Sequence, residues 1–338
     1  MRSTVRSDSF GGRIALFLLI LPPVFLLGSL CIGRFPIMIA DVVAAIGSAG
    51  EAVEGVVRSV IFRIRLPRGR AALLVGAGLA VSGAAFQGLF RNPLVGPSIL
   101  GVAQGAGFGA ALGLLLADSI LVSNLLAFTF GIVAVMAACF IALRKSDNSL
   151  LMLVLAGIVM GAVFAALISL VKYVADPEEK LPTIVYWLMG GLSGVGYKDL
   201  IFAAPIITIG SAILIALRWR INVLSLGDEA ARSFGEDTRL LRFAIIGSAT
   251  IVTSACVALA GIVGWVGLLV PHIGRMFLGP NHSVLLPASI SIGACYLLVI
   301  DVVARTATSA EIPLSILTAL LGAPFFAWLS TKTGGKWT

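Results

Sequence analysis

Ten apolar runs divide this chain, and their recurrence constrains it more than any single motif does. They lie near 14–33, 71–90, 97–117, 124–143, 150–171, 199–217, 241–263, 264–278, 284–304 and 312–330. About 20 apolar residues suffice for one helix to cross a bilayer. Lipid offers no partner to an open backbone, so a spanning chain folds as helices or as a closed barrel. The out/in alternation that a barrel needs is absent. The expected fold class is therefore all-α: a polytopic membrane protein with ten transmembrane helices in one domain over 1–338. The run at 264–278 is short, and reads as a short span or a re-entrant piece. With 59% hydrophobic and 12% charged residues, the chain is not a soluble enzyme, a disulfide scaffold or a disordered protein.

The net charge of +8 reads as basic side chains flanking spans rather than as a nucleic-acid surface. Arg2, Arg6 and Arg13 precede the first run, which exceeds the 7–15 residues of a signal-peptide core, so a retained span is expected. Ten spans put both termini on one side. If that side is cytoplasmic, it collects 14 of the 24 Lys and Arg, among them Lys145 and Lys336, the sign the positive-inside rule requires. Five arginines, Arg58, Arg63, Arg65, Arg68 and Arg70, then sit outside, against the rule. An acidic docking partner is one reason for such a cluster.

Two polar segments stand out. In 34–70, which includes Glu51 and Glu54, the spacing of Ile37, Ile39, Val42, Val43 and Ile46 predicts an interfacial helix within an outer loop. In 218–240, Leu224, Leu226, Ala230, Ala231 and Phe234 predict the apolar face of a short amphipathic helix. Segments 82–101 and 260–279 share a small-residue start, a hydrophobic run, a proline and a terminal glycine, which suggests an inverted repeat, a transporter signature.

Several groups invite chemistry. Gly101, Gly105, Gly109 and Gly113 line one helix face, which suits close helix packing or a pore wall. Asp301 with Arg305 one turn later is either a neutralised pair or an intramembrane proton relay. The only histidines are His272 and His282, and no HExxH occurs. Gly191-Leu192-Ser193-Gly194 resembles an intramembrane serine protease motif, which needs a histidine base; a Gly/Ser turn is the plainer reading. The four cysteines sit in apolar runs without metal spacing. No GxxxxGK[ST] occurs, so ATP-driven transport would take its energy from another chain.

The stretches 65–113, 186–195, 227–237 (GDEAARSFGED), 258–275 and 301–329 resemble the permease subunits of ABC importers for iron chelates, heme and cobalamin. The resemblance covers nearly the whole chain. It implies a homodimer in a bacterial inner membrane with both termini cytoplasmic, two cytoplasmic ABC ATPase subunits and a periplasmic substrate-binding protein. It implies neither a cofactor nor catalysis by this chain. Arg65, Arg68 and Arg305 match arginines that meet glutamates of the binding protein. Gly227, Glu229, Ala230, Arg232 and Gly235 match the loop that touches the ATPase. Asn92 and Leu94 match the inner constriction of the path. The implied mechanism is alternating access for a metal-chelate substrate, through a path lined by small apolar residues. A proton-coupled carrier using Asp301 is the alternative.

Overall fold

The computed structural model describes residues 4–47, 55–117, 119–144 and 150–333. Arg2, Glu51, Glu54, Lys145 and Lys336 lie outside them. Helix α1 (Thr4–Cys31) is followed by α2 (Ile39–Ile46), a helix where the spacing at 37–46 predicts one. Next come α3 (Gly55–Ser59), a π-helical turn (Val60–Arg65) and α4 (Leu66–Phe90). A 3-10 turn (Pro97–Leu100) leads into α5 (Val102–Leu116), then α6 (Ile120–Leu143), α7 (Leu150–Val174), α8 (Lys180–Leu188) and α9 (Tyr197–Ala216). The remainder is α10 (Arg218–Ser225), α11 (Asp228–Ser233), α12 (Thr238–Ala260), α13 (Val266–Leu278), α14 (His282–Thr306) and α15 (Leu314–Thr333). No strand occurs among the described residues.

Six helical stretches are long and apolar enough to cross a membrane unaided: Gly55–Phe90, Ile120–Leu143, Leu150–Val174, Tyr197–Ala216, Thr238–Ala260 and His282–Thr306. Four shorter apolar helices, Leu18–Cys31, Val102–Leu116, Val266–Leu278 and Leu314–Trp328, fall at the other expected positions. The bundle is ordered by burial. The apolar stretches of α4 and α12 are each 78% buried, against 28% for α6 and 22% for α7. Thus α4, α12 and α14 form the centre, while α6 and α7 turn exposed residues such as Met136, Phe140, Leu151 and Ile158 outward.

Glycine makes that centre dense. A Cβ at Gly76 would strike the carbonyl of Gly293, and one at Gly83 would strike the carbonyl of Gly267. So α4 meets α14 and α13 almost backbone to backbone, as small-residue interfaces allow. The glycine stripe on α5 does the same. A Cβ at Gly105 would lie 2.5 Å from the Phe130 carbonyl oxygen, and one at Gly113 would lie 2.6 Å from Ser123 Cα. Gly105, Gly109 and Gly113 are packing positions against α6, and Gly101 lies against Gly157 and Gly161 of α7.

The outer loop expected over 34–70 is shorter than that. Residues 55–90 form one continuous 36-residue helix. Its π turn falls just before Pro67, whose missing N–H interrupts the hydrogen-bond ladder, so the extra residue absorbs the break. The segments at 82–101 and 260–279 pack together at Gly83 and Gly267, yet their backbones differ. The first ends a helix and turns at Arg91, while the second opens irregularly at Gly261 and becomes helical at Val266.

Candidate functional site

Three features hold the residues singled out in the sequence, and each abuts α4. At its start lies an ionic cluster. Arg68 donates from Nε to Asp301 Oδ1 at 2.9 Å and from Nη1 to Glu311 Oε1 at 2.7 Å. Arg305, one turn beyond Asp301, approaches its Oδ2 at 3.7 Å and donates to the Ser29 carbonyl at 2.7 Å. Arg65 donates to the carbonyls of Leu30 and Phe35 at the end of α1. Arg65, Arg68 and Arg305 are only 5%, 7% and 9% exposed, so they are tied into the fold. They nevertheless line one open recess of about 220 Å³, together with Arg34 and Glu311. Arg58, Arg63 and Arg70 stay exposed on the same long helix. Sequence reasoning paired Asp301 with Arg305 and missed its closer partner, Arg68, 233 positions away. Glu311 had no local signal either.

At the other end of α4 is the 218–240 segment. It folds as two short helices, α10 and α11, hinged at Gly227, whose φ of +115° favours glycine. Ile221 packs under α4, where a Cβ on Gly88 would lie 2.5 Å from its Cγ2. Asn222 ties α10 to the start of α14: Nδ2 donates to Asn281 Oδ1 at 2.7 Å, and its Oδ1 accepts from the His282 amide at 2.7 Å. Asp228 accepts from Arg242 at 2.5 Å, and Glu236 accepts from Arg220 Nε at 2.7 Å. Donating that hydrogen bond to the Glu236 carboxylate raises the proton affinity of Arg220. Asp237 caps α12 by accepting from the amides of Arg239 and Leu240, both at 3.0 Å. On this braced root, Glu229, Arg232 and Gly235 are exposed, and Ala230 and Gly227 are half-buried. The expected single apolar face is not formed. Leu224 and Ala231 turn inward, while Leu226 (66% exposed) and Phe234 (69% exposed) point out; each outward residue is the C-cap of its own short helix.

The third feature is the turn after α4. Arg91 adopts a left-handed conformation with φ +51°, and Asn92 Oδ1 accepts from the Leu94 amide at 2.9 Å. Leu94 is half-exposed and lines a cleft of about 400 Å³ with Pro97, Ile99, Trp265 and Leu268. Gly96, Ala103, Gly264 and Gly267 also line it, with the hydroxyl residues Ser98 and Thr253, so its wall is mainly apolar. Asn92 shapes the turn beside it.

From Arg68 to Gly88 is 20 helical residues. At 1.5 Å per residue that is about 30 Å, the thickness of a hydrocarbon core. The ionic cluster and the 218–240 segment therefore stand one membrane thickness apart on a single helix. The sequence pattern of the FecCD transport family matches residues 18–332. The chain belongs to the FecCD transport family. It is thus an integral-membrane permease of the ABC importer class, whose work is done with ATPase and binding-protein partners. The chain is 42% identical over 313 residues to the molybdate import system permease protein MolB of Haemophilus influenzae, covering 91% of this chain and 92% of that one. It is 42% identical over 276 residues to a protein named as a probable iron chelatin transport system permease of Helicobacter pylori, covering 82% and 83%. A solved structure assigned to the metal-chelate type of ABC transporter, in an inward-facing conformation, superposes with a TM-score of 0.86 at 40% identity, over 95% of this chain and 99% of that one.

Membership in an ATP-dependent family removes the proton-coupled alternative. Asp301, 1% exposed and held between Arg68 and Arg305, has a structural task instead. The Ser193 motif is likewise a turn. Ser193 is exposed between α8 and α9, whereas the His272 ring sits 6.3 Å from Phe325 and 5.6 Å from Phe326, between centroids.

Proposed function

We propose that the chain is one half of a homodimeric permease that carries a metal chelate across the bacterial inner membrane by alternating access. The observation that carries this reading is the separation of the two polar ends of α4 by one membrane thickness. The recess holding Arg65, Arg68 and Arg305 then faces the periplasm and receives acidic side chains of the binding protein. The exposed Arg58, Arg63 and Arg70 steer that encounter. Glu229, Ala230 and Arg232, between Gly227 and Gly235, take up the motion of the ATPase. Because α10 is bonded to the start of α14 and seated under α4, that motion reaches Asn92, Leu94 and the apolar cleft as a rigid-body shift. Mainly apolar walls let a bulky chelate slide without being held.

The name of the Haemophilus relative favours a second reading of the cargo, a small oxyanion. Proteoliposomes containing the permease, its ATPase and its binding protein separate the two. The chelate reading expects vanadate-sensitive uptake of a ferric chelate that excess molybdate does not reduce. Uptake of molybdate alone would assign the oxyanion. Uptake by the lone permease would overturn the whole reading.

A further inference from the structure

A further recess shares only Arg232 with these roles. It opens where the end of α6, the start of α7, α11 and the start of α12 converge, and its volume is about 120 Å³. Its floor is apolar, from Leu143, Leu153 and Ile246. Three arginines, Arg232, Arg239 and Arg242, line it as well. Arg242 is already engaged by Asp228 at 2.5 Å. Asp237 accepts from the amides of Arg239 and Leu240, and Glu236 pairs with Arg220. Arg232 and Arg239 are exposed and have no acidic partner among the described residues. Beside the recess, Phe140 (60% exposed), Leu151 (66% exposed) and Leu240 (65% exposed) make an apolar flank. Arg144 stacks over Phe140 with its guanidinium carbon 4.7 Å from the ring centroid.

We propose that this recess binds the headgroup of an anionic phospholipid. It is large enough for a phosphate group and too small for a diacyl lipid, whose chains would lie along the exposed flank of α6 and α7. Basic pockets between spans at the membrane boundary have this chemistry, with fixed cations at headgroup depth and hydrocarbon walls below. A soluble anion would gain nothing from the apolar flank. The site also touches α11, so a bound lipid would link the membrane surface to the moving loop. The inference rests on the chain being a membrane protein and not on its cargo or its ATPase.

Native mass spectrometry of the full-length permease in detergent tests it, with phosphatidylglycerol, phosphatidylcholine or inorganic phosphate added. One phosphatidylglycerol per chain should survive activation that strips phosphatidylcholine. Arg239→Gln should lower that retention about fivefold, the effect of one basic side chain at an anionic surface. Arg232→Gln, on a different helix, should do the same, so misfolding of one variant does not decide the matter. Arg218→Gln, which changes an exposed arginine outside the recess, should leave retention unchanged. Equal retention of both lipids, or undiminished retention in both recess variants, overturns the proposal. Displacement of phosphatidylglycerol by millimolar phosphate would also overturn it, in favour of a soluble anion. A failed uptake experiment would leave these outcomes untouched.

Discussion

Asp301 illustrates how a single buried charge is kept. Two guanidinium groups neutralise it, and Glu311 shares one of them. Removing one partner of a buried pair strands the other and costs about 3–5 kcal/mol. Asp301→Asn should therefore lower the Tm of the detergent-purified permease sharply. Combining it with Arg68→Gln should cost less than the two single changes added together, the signature of a coupled pair. An unchanged Tm in Asp301→Asn would contradict the structural role. Glu311 has the opposite character. It is partly exposed and already occupies Arg68 from the side of the recess, in the place a glutamate of the binding protein would take. Glu311→Gln should tighten capture of the binding protein several-fold at low salt, measured by surface plasmon resonance, and the gain should shrink as salt rises. Weaker capture would show that Glu311 contributes to docking rather than competing with it.

Among the elements, α4 and the α10–α11 pair are the least tolerant of change. At Gly83 even a methyl group meets the carbonyl of Gly267. Gly83→Ala should destabilise the bundle by about 1–3 kcal/mol, as overpacking does, visible as lost thermal stability. Gly227 sits at φ +115°, ψ 162°, a region open essentially to glycine, where a side chain costs about 1–3 kcal/mol. Gly227→Ala should leave binding-protein capture intact and reduce substrate moved per ATP hydrolysed. Equal reduction of capture would place the fault elsewhere. The spans were legible in the sequence because hydrophobic length is a local property. The short helix at 39–46 was legible from the spacing of its apolar residues, which is local too. The continuation of α4 back to Gly55 was not, since its arginines look like a loop until the buried face of the helix is seen. The ion pair of Arg68 with Asp301, and the bonds from Asn222 to the start of α14, join distant positions with no periodic trace between them. Leu226 and Phe234 turn outward where α10 and α11 end, and a helical wheel drawn through 224–234 does not register those two ends.

Across the whole molecule, the polarity of the bundle follows from the length of one helix. Arg58 and Glu229 are both exposed, and the stretch of α4 between their two neighbourhoods is about 30 Å long. Both ends are charged, so neither can lie in hydrocarbon. An impermeant maleimide should consequently reach Arg58→Cys and Glu229→Cys from opposite faces. The half-exposed Cys31 and Cys139 are first replaced by serine, while Cys256 and Cys295 are buried and need no change. In right-side-out vesicles Arg58→Cys should react and Glu229→Cys should stay silent, and inverted vesicles should reverse the pattern. Adding the ATPase to inverted vesicles should then slow labelling at Glu229→Cys without affecting a site on the far side. Labelling of both positions from one face would break the link between helix length and membrane crossing, and with it the assignment of one partner to each end.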